Sequence, residues 1–212
     1  IDPTGKASAM FKAIPSELTR NSSRYQVASV TENGRANRLL ETITNMGESM
    51  VVNMAYHAND PGPGMAFHKD TSTFKMFVGD TGLFVTLAFW DKEFTDNVIY
   101  QKLLTDKLSK DLGYVYENVV AQMLIAKGNN LFYYTMESKT SNHLYEIDFL
   151  TSVKDKICPL EVKSGNYRTH KSLDVFCNKF SNRICNKYVV HTKDYKWENG
   201  IYYIPVYMVP FL

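Results

Sequence analysis

The 212 residues and 24.3 kDa of this chain suit one large domain or two small ones. Hydrophobic residues make up 44% and aromatic residues 13%, which excludes a disordered chain. The formal charge of +2 conceals a basic stretch, residues 163–196, with eight Lys and Arg against two Asp. Such a stretch attracts polyanions, or else it forms a solvated helix face.

The sequence has no apolar run near the roughly 20 residues that a membrane span needs, so we expect no membrane segment. It opens Ile-Asp-Pro-Thr, which is not a signal peptide and is typical of a fragment. Cys158, Cys177 and Cys185 form an odd set without a C-x-x-C pair. We therefore expect reduced thiols, a cytoplasmic protein, and neither a disulfide framework nor a zinc site.

Residues 1–90 are predicted to form short helices followed by a strand pair, an order that indicates a winged-helix-like module. Asp80 is suited to cap the helix that follows it. Arg35 and Arg38 open the recognition helix of this module, where they are candidate DNA contacts; a helix-dipole or solvent role fits them equally well. The predicted elements are helices Ala7 to Ile14 and Arg35 to Met46, a new turn from Pro15, strands Met50 to Tyr56 and Phe74 to Val78, and a turn at Asn59 to Gly64.

Residues 91–110 are polar and predicted to be a helical connector, and residues 111–212 are predicted to form a second domain. Its order is helix, three strands, helix and strand, which indicates an α/β fold. The predicted elements are helix Tyr114 to Lys127, strands Leu131 to Thr135, Tyr145 to Thr151 and Ile157 to Val162, helix Lys171 to Asn182, and strands Lys187 to His191 and Ile201 to Ile204.

The most informative residues lie on two successive strands, Y-E-I-D-F-L and P-L-E-V-K-S-G. A hairpin that turns at Lys154 and Asp155 would place Asp148 opposite Glu161. The same register would place Glu146 opposite Lys163, and strand alternation would put these four side chains on one face. The predicted opposite face is a core of Tyr145, Ile147, Phe149, Leu160 and Val162.

Two carboxylates that face each other repel unless a positive charge lies between them. Mg²⁺ or Mn²⁺ would meet that need through oxygen ligands, and Lys163 on the same face could position a water or stabilise phosphate charge. The alternative is a ladder of cross-strand salt bridges on a solvated sheet face.

Asp148 followed by Glu161-Val162-Lys163 resembles the D…E-x-K motif of the PD-(D/E)xK nuclease superfamily, although Ile147 replaces the Pro of its name. Four segments, F-K-M-F-V-G-D-T-G-L-F, G-Y-V-Y-E-N-V-V-A-Q, Y-E-I-D-F-L and P-L-E-V-K-S-G, resemble the C-terminal domain of unknown function of prokaryotic AAA-type ATPases. F-K-A-I-P-S-E-L is similar to the segment that follows the ATPase module in that family.

The resemblance implies a restriction-endonuclease-like core whose carboxylates Asp148, Glu161 and Glu117 bind Mg²⁺ or Mn²⁺. It implies that Lys163 activates or positions the nucleophile, and that Lys171 is best placed to be the basic residue that the next helix often contributes to the site. Arg168 and Lys171 could neutralise nucleic-acid phosphates; an ordinary basic loop is the alternative. The resemblance also implies an ATPase module that this chain lacks. ATP is expected only there, because Thr4-Gly5-Lys6-Ala7-Ser8 has no upstream glycine of a phosphate-binding loop.

Two functions follow as hypotheses. The first is a Mg²⁺-dependent DNA phosphodiesterase in the C-terminal part of such an ATPase. The second is a non-catalytic module that binds nucleic acid or a protein partner and couples it to the ATPase module. The intact set Glu117, Asp148, Glu161 and Lys163 favours the first, and the modest net charge favours the second. The sequence leaves the oligomeric state open.

Overall fold

A computed structural model describes residues 5–20, 23–27, 39–89, 113–138 and 144–212. The described part contains five α-helices and eight β-strands, and none of its helices is long and apolar enough to cross a membrane. The helices are α1 (Lys6–Thr19), α2 (Leu40–Glu48), α3 (Thr81–Ala88), α4 (Gly113–Ala126) and α5 (Lys171–Lys179). The strands are β1 (Val52–Ala58), β2 (Lys69–Val78), β3 (Leu131–Glu137), β4 (Leu144–Val153), β5 (Lys156–Val162), β6 (Tyr188–His191), β7 (Lys196–Glu198) and β8 (Ile201–Pro205).

All eight strands form one mixed sheet in the order β2-β1-β3-β4-β5-β6-β8-β7. The pairs β1–β3, β5–β6 and β6–β8 are parallel, and the other neighbours are antiparallel. The predicted mixed α/β class is therefore confirmed. The strand pair of residues 1–90 continues this sheet through β1 and β3, because residues 55–57 pair with residues 131–133.

The hydrophobic cores cross the predicted boundary between the two segments. One cluster is built mainly from α1, α2, α3 and the first strand pair, but it also includes Val115 of α4. A second cluster combines Ala55 and Phe77 with α4 and the C-terminal strands. Two of the hydrophobic clusters are therefore shared between residues 1–90 and 111–212. The division into residues 1–90, 91–110 and 111–212 itself stays a prediction, and the connector lies outside the described residues.

Most predicted elements occur, with shifted ends. Helix α1 continues through Pro15, contrary to the predicted break, and both Ile14 and Pro15 are buried. Asp80 caps α3 as predicted, because its carboxylate accepts a hydrogen bond of 2.7 Å from the Leu83 amide. The short edge strand β7 and the 3-10 helix Val206–Phe211 had no sequence signal. Arg35 and Arg38 lie outside the described residues.

Cys158 and Cys185 form a disulfide, with 5.9 Å between their Cα atoms, which corrects the expectation of three reduced thiols. Chain pairing brings the two cysteines together: Ile157 forms a parallel bridge with Ile184, and the Cys185 amide donates to the Ile157 carbonyl at 3.0 Å. Cys177 is free and buried, and burial raises its pKa to about 11. The disulfide fastens β5 to the segment that precedes β6.

Candidate metal centre

The hairpin of β4 and β5 has the register predicted from the sequence over its described ladder. Phe149 pairs with Leu160 and Val153 with Lys156, and the turn between them has Lys154 in the left-handed region, with φ of 55°. The ladder stops at Phe149 and Leu160. The predicted direct pairings of Asp148 with Glu161, and of Glu146 with Lys163, are therefore not part of it.

A bulge in β4 lies at the position where this ladder stops. Phe132 of β3 pairs with Leu150 and Tyr134 pairs with Ile147, so Asp148 and Phe149 together lie opposite the single residue Tyr133. A bulge resets the alternation of side chains between the two faces of a sheet.

The predicted single core face is consequently wrong. Tyr145 and Ile147 pack in the cluster that contains Leu173 and Phe176 of α5. Phe149, Leu160 and Val162 instead pack in the cluster of α4. Helices pack on both faces of the sheet, and Glu117, Asp148 and Lys163 are partly exposed whereas Glu161 is buried.

Where the ladder between β4 and β5 ends, the Asp148 side chain replaces a main-chain group as the partner of a β5 amide. Its Oδ2 accepts a hydrogen bond of 2.6 Å from the Val162 amide. Burial, followed by the charge of Glu146, raises the pKa of Asp148 to about 6, although Lys75 and the Val162 amide act in the opposite direction. The carboxylate is thus held firmly in an environment where its charge is costly.

Glu161 lies near the end of β5, where it is buried and only 4% exposed. Its Oε1 lies 2.7 Å from the Lys163 Nζ, whereas its buried Oε2 has no hydrogen-bond partner among the residues that the structure describes. Burial and the nearby charge of Asp148 raise the pKa of Glu161 to about 8. The structure therefore brings Asp148, Glu161 and Lys163 together, as the sequence predicts.

Glu117 belongs to α4, which is fixed against the end of β2 by its neighbour Asn118. The Asn118 Oδ1 accepts from the Val78 amide at 2.8 Å, and its Nδ2 donates to the Val78 carbonyl at 3.0 Å. At the start of the helix, Gly113 approaches Ser164 so closely that a Cβ would lie 3.3 Å from the Ser164 Oγ. These contacts fix α4, which carries the half-buried Glu117, against β2 and the residues that follow β5.

The electrostatics place Glu117 in the same cluster. Burial, and then the charge of Asp148, raises the pKa of Glu117 to about 8, with smaller contributions of the same sign from Glu146 and Glu161. Lys75 has the opposite effect on Glu117. Glu117 therefore interacts electrostatically with the carboxylates of β4 and β5.

Lys75 is the residue of this cluster that the sequence analysis missed. It lies on β2, is only 6% exposed, and donates a hydrogen bond to Glu146 Oε1. The charges of Glu146, Glu117 and Asp148 raise the pKa of Lys75 against the effect of burial. A signal existed: in F-K-M-F-V, strand alternation places Lys75 on the same face as the core residue Phe77.

The donor set fits a hard divalent cation in its chemistry, because it consists of carboxylate oxygens. The buried Glu161 Oε2 has no hydrogen-bond partner in the described part of the chain, and a bound cation would satisfy it. Within the described residues, however, no group of three His, Cys, Asp or Glu side chains is arranged to hold a metal ion. Three carboxylate oxygens of the cluster are already bonded to Lys75, to Lys163 and to the Val162 amide.

The predicted phosphate contacts lie away from this cluster. Arg168 is exposed in the loop before α5, and Lys171 opens that helix with its Nζ 5.6 Å from the centre of the Tyr145 ring. Lys171 and Lys179 line a groove of about 850 Å³ between β3 and α5. Consecutive strand residues point to opposite faces, so Tyr145 in the groove and Glu146 in the cluster lie on opposite sides of the sheet.

Comparison with known proteins places the cluster partly inside a recognised domain. No curated protein and no solved structure matches the chain. Residues 112–209, a little under half of the chain, match the family model described as a domain of unknown function (DUF4143). The match therefore includes Glu117, Asp148, Glu161 and Lys163, but it does not include Lys75.

Proposed function

We propose that the cluster of Glu117, Asp148, Glu161 and Lys163 is the site of a Mg²⁺- or Mn²⁺-dependent DNA phosphodiesterase with a PD-(D/E)xK-like core. The observation that supports this most strongly is the buried Glu161 Oε2, which lies in a cluster of carboxylates beside Lys163 and is unpartnered within the described ranges. Burying carboxylates together costs free energy that a structural role does not require, and such costs are typical of functional sites.

Asp148 and Glu161 would hold the cation, with Glu117 completing the set directly or through water. When bound, the cation supplies charge stabilisation for a phosphodiester oxygen and for the attacking water. Asp148 is oriented for this role by the Val162 amide, and α4 is oriented by Asn118.

Lys163 would act as a hydrogen-bond donor and a positive charge. Its pKa is raised by Glu161, so the ammonium stays protonated at neutral pH and does not act as the base. It would stabilise the negative charge that develops on the phosphate. Glu117, whose raised pKa lies near neutrality, is the better acceptor for the proton of the attacking water.

The remaining elements of the proposal concern the partner and the parent protein. Arg168 and Lys171 would neutralise phosphates of the nucleic acid away from the cleavage site, because the groove of Lys171 lies on the opposite side of the sheet from the cluster. The domain would belong to a cytoplasmic prokaryotic AAA-type ATPase, whose nucleotide-binding module lies outside this chain. In the same proposal, residues 1–90 would form a winged-helix-like module.

One observation favours the second candidate, a non-catalytic binding module. Lys75 already places a positive charge among the carboxylates, and no metal-binding group of three is present in the described residues. In that case Lys75 and Lys163 alone would neutralise the cluster. The carboxylates would then repel a bound polyanion.

Cleavage of supercoiled, linear and branched DNA with Mg²⁺ or Mn²⁺ tests the proposal, with Lys163→Ala and Asp148→Ala beside the wild type. We expect Lys163→Ala to reduce the rate by about 10² to 10⁴ while metal binding persists. Asp148→Ala should lose both properties. Lys127→Ala is the control, because it removes an exposed lysine at the end of α4. Inactivity of the wild type on every DNA form, with tighter DNA binding by Asp148→Ala, would favour the binding module.

A further inference from the structure

A groove of about 850 Å³ lies between α5 and the strands β3 and β4, on the face of the sheet opposite the carboxylate cluster. Lys171, Val175 and Lys179 line its helix side and follow one another at intervals of four residues on one face of α5. Met136 and Tyr145 line the strand side. Ligand sites typically enclose about 300 to 1,000 Å³, so the groove is large enough to bind part of an elongated ligand.

The two lysines of the groove are held in place by tyrosine side chains. The Lys171 Nζ lies 5.6 Å from the centre of the Tyr145 ring, and the Lys179 Nζ donates a hydrogen bond of 3.3 Å to the Tyr134 hydroxyl. Neither ammonium group forms an ion pair with a carboxylate of the residues that the structure describes. Tyrosine rings and hydroxyls orient an ammonium group, but they do not neutralise its charge.

The acidic residues near the groove leave its net charge positive. Asp174 is the acidic residue of α5, and its Oδ1 lies 3.1 Å from the Nδ1 of His170. Glu137 lines the groove and is exposed, without an ion pair inside the described ranges. Two lysines and one glutamate therefore give the lining a net charge of +1. Such a groove attracts an anionic ligand.

The spacing of the lysines favours one strand of nucleic acid as that ligand. Eight residues of α-helix separate Lys171 from Lys179 by about 12 Å along the axis, with Val175 midway. A nucleic-acid strand carries phosphates along its whole length and has apolar base faces between them, so two phosphates can meet the lysines while bases contact Met136 and Val175. A duplex encloses its base faces in the stack, where the groove cannot contact them. Asn178 also lines the groove and offers a donor and an acceptor to a base edge.

We propose that this groove binds a single strand of nucleic acid, with Lys171 and Lys179 at its phosphates and Val175 against its bases. The inference rests on the proposed function and adds an unpaired strand to the substrate of that function. Because the groove and the cluster lie on opposite faces of the sheet, the two lysines contribute to binding and are not catalytic residues. An acidic protein segment would meet the same charges but has no bases, and the experiment below distinguishes the two.

Binding of labelled oligothymidylate and oligouridylate to the whole chain, measured by fluorescence anisotropy in EDTA from about 50 to 200 mM NaCl, tests the inference. We expect tighter binding to these strands than to a duplex of the same length. Each phosphate contact contributes about 0.7 to the slope of log K against log salt concentration. Lys179→Ala should therefore lower the slope by about 0.7, and Lys171→Ala/Lys179→Ala should lower it by about 1.4. Val175→Glu places a negative charge between the lysines and should weaken binding by about tenfold.

Lys69→Ala is the matched control for the lysine variants. Lys69 is exposed, and its Nζ lies 4.7 Å from the centre of the Tyr56 ring, on the edge strand β2 outside the groove. This variant should leave the salt slope unchanged. Lys171 and Lys179 are exposed as well, so their variants should keep the fold, which circular dichroism verifies.

Equal affinity for duplex and single strand, or an unchanged salt slope in the double variant, would overturn the inference. Displacement of the oligonucleotide by polyglutamate at equal charge concentration would overturn it in favour of an acidic protein partner. None of these results affects the proposed cleavage site, because EDTA excludes metal-dependent cleavage from the assay. Strand binding with the expected slopes, but without Mg²⁺-dependent cleavage, would support the inference and contradict only the proposed catalytic function. Tighter binding of one oligonucleotide would support the inference and assign the strand as DNA or RNA.

Discussion

Raising the pH without metal should destabilise this fold, because buried carboxylates of the cluster are forced to ionise. The pKa of Glu117 and that of Glu161 are raised to about 8 from the ordinary value of 4.5. Between these two values the folded chain binds more protons than the unfolded chain. The free energy of unfolding therefore falls as the pH rises through this interval.

The size of the effect follows from the pKa shifts. Each pH unit within the interval lowers the free energy of unfolding by about 1.4 kcal/mol per affected group. From about pH 6.5 to pH 8 the loss is about 2 kcal/mol for each of the two glutamates. Asp148 titrates at about 6, below this window. Burial lowers the pKa of His191 from its ordinary value of 6.5, so its contribution has the opposite sign and ends just above pH 6.5.

Thermal unfolding in EDTA, followed by circular dichroism from about pH 6.5 to pH 8, measures this loss. We expect the melting temperature to fall, with Glu161→Gln removing about half of the decrease. Mg²⁺ should restore stability at the upper pH, because a bound cation favours the ionised carboxylates. Glu48→Gln changes an exposed glutamate and is the control. A melting temperature that stays level or rises over this range would refute the assigned electrostatics.

Three further predictions concern the framework around the site. Asn118→Ala should lower the free energy of unfolding by about 2 to 4 kcal/mol in urea titrations, because both backbone groups of the buried Val78 lose their partner; a loss below about 1 kcal/mol would contradict this role. Asp80→Ala should cost about 1 kcal/mol by the same measurement, as expected for loss of an N-cap, and an unchanged midpoint would argue against the cap. Reduction of the disulfide between Cys158 and Cys185 should cost about 3 to 4 kcal/mol, given its sequence separation of 27, and a melting temperature insensitive to reductant would contradict the bond.

The local patterns of the chain were sufficient to predict the elements that hold the site. Short apolar runs bounded by turn residues located β3, β4 and β5, and the hairpin register followed from a two-residue turn at Lys154 and Asp155. The D…E-x-K spacing then brought Asp148, Glu161 and Lys163 to one place. These features depend on neighbours that are close in sequence, which is why one sequence is enough to predict them.

The features that the sequence did not predict depend on distant contacts. The bulge at Asp148 and Phe149 becomes visible only when β4 is paired with β3, and it redistributes the side chains between two core faces. Lys75 lies 71 residues before its partner Glu146, so no local pattern joins them. The parallel pairing of β1 with β3, which places the first strand pair in the shared sheet, is likewise non-local.

The most direct test of the account is the position of a bound cation. Crystals of Lys163→Ala soaked in Mn²⁺ would show the ion through its anomalous scattering, in a protein that should bind metal without cleaving DNA. We predict an anomalous peak in contact with Asp148 and with the Oε2 of Glu161, which has no hydrogen-bond partner among the described residues. The absence of a peak at saturating Mn²⁺, or a peak bound only elsewhere, would contradict the metal centre.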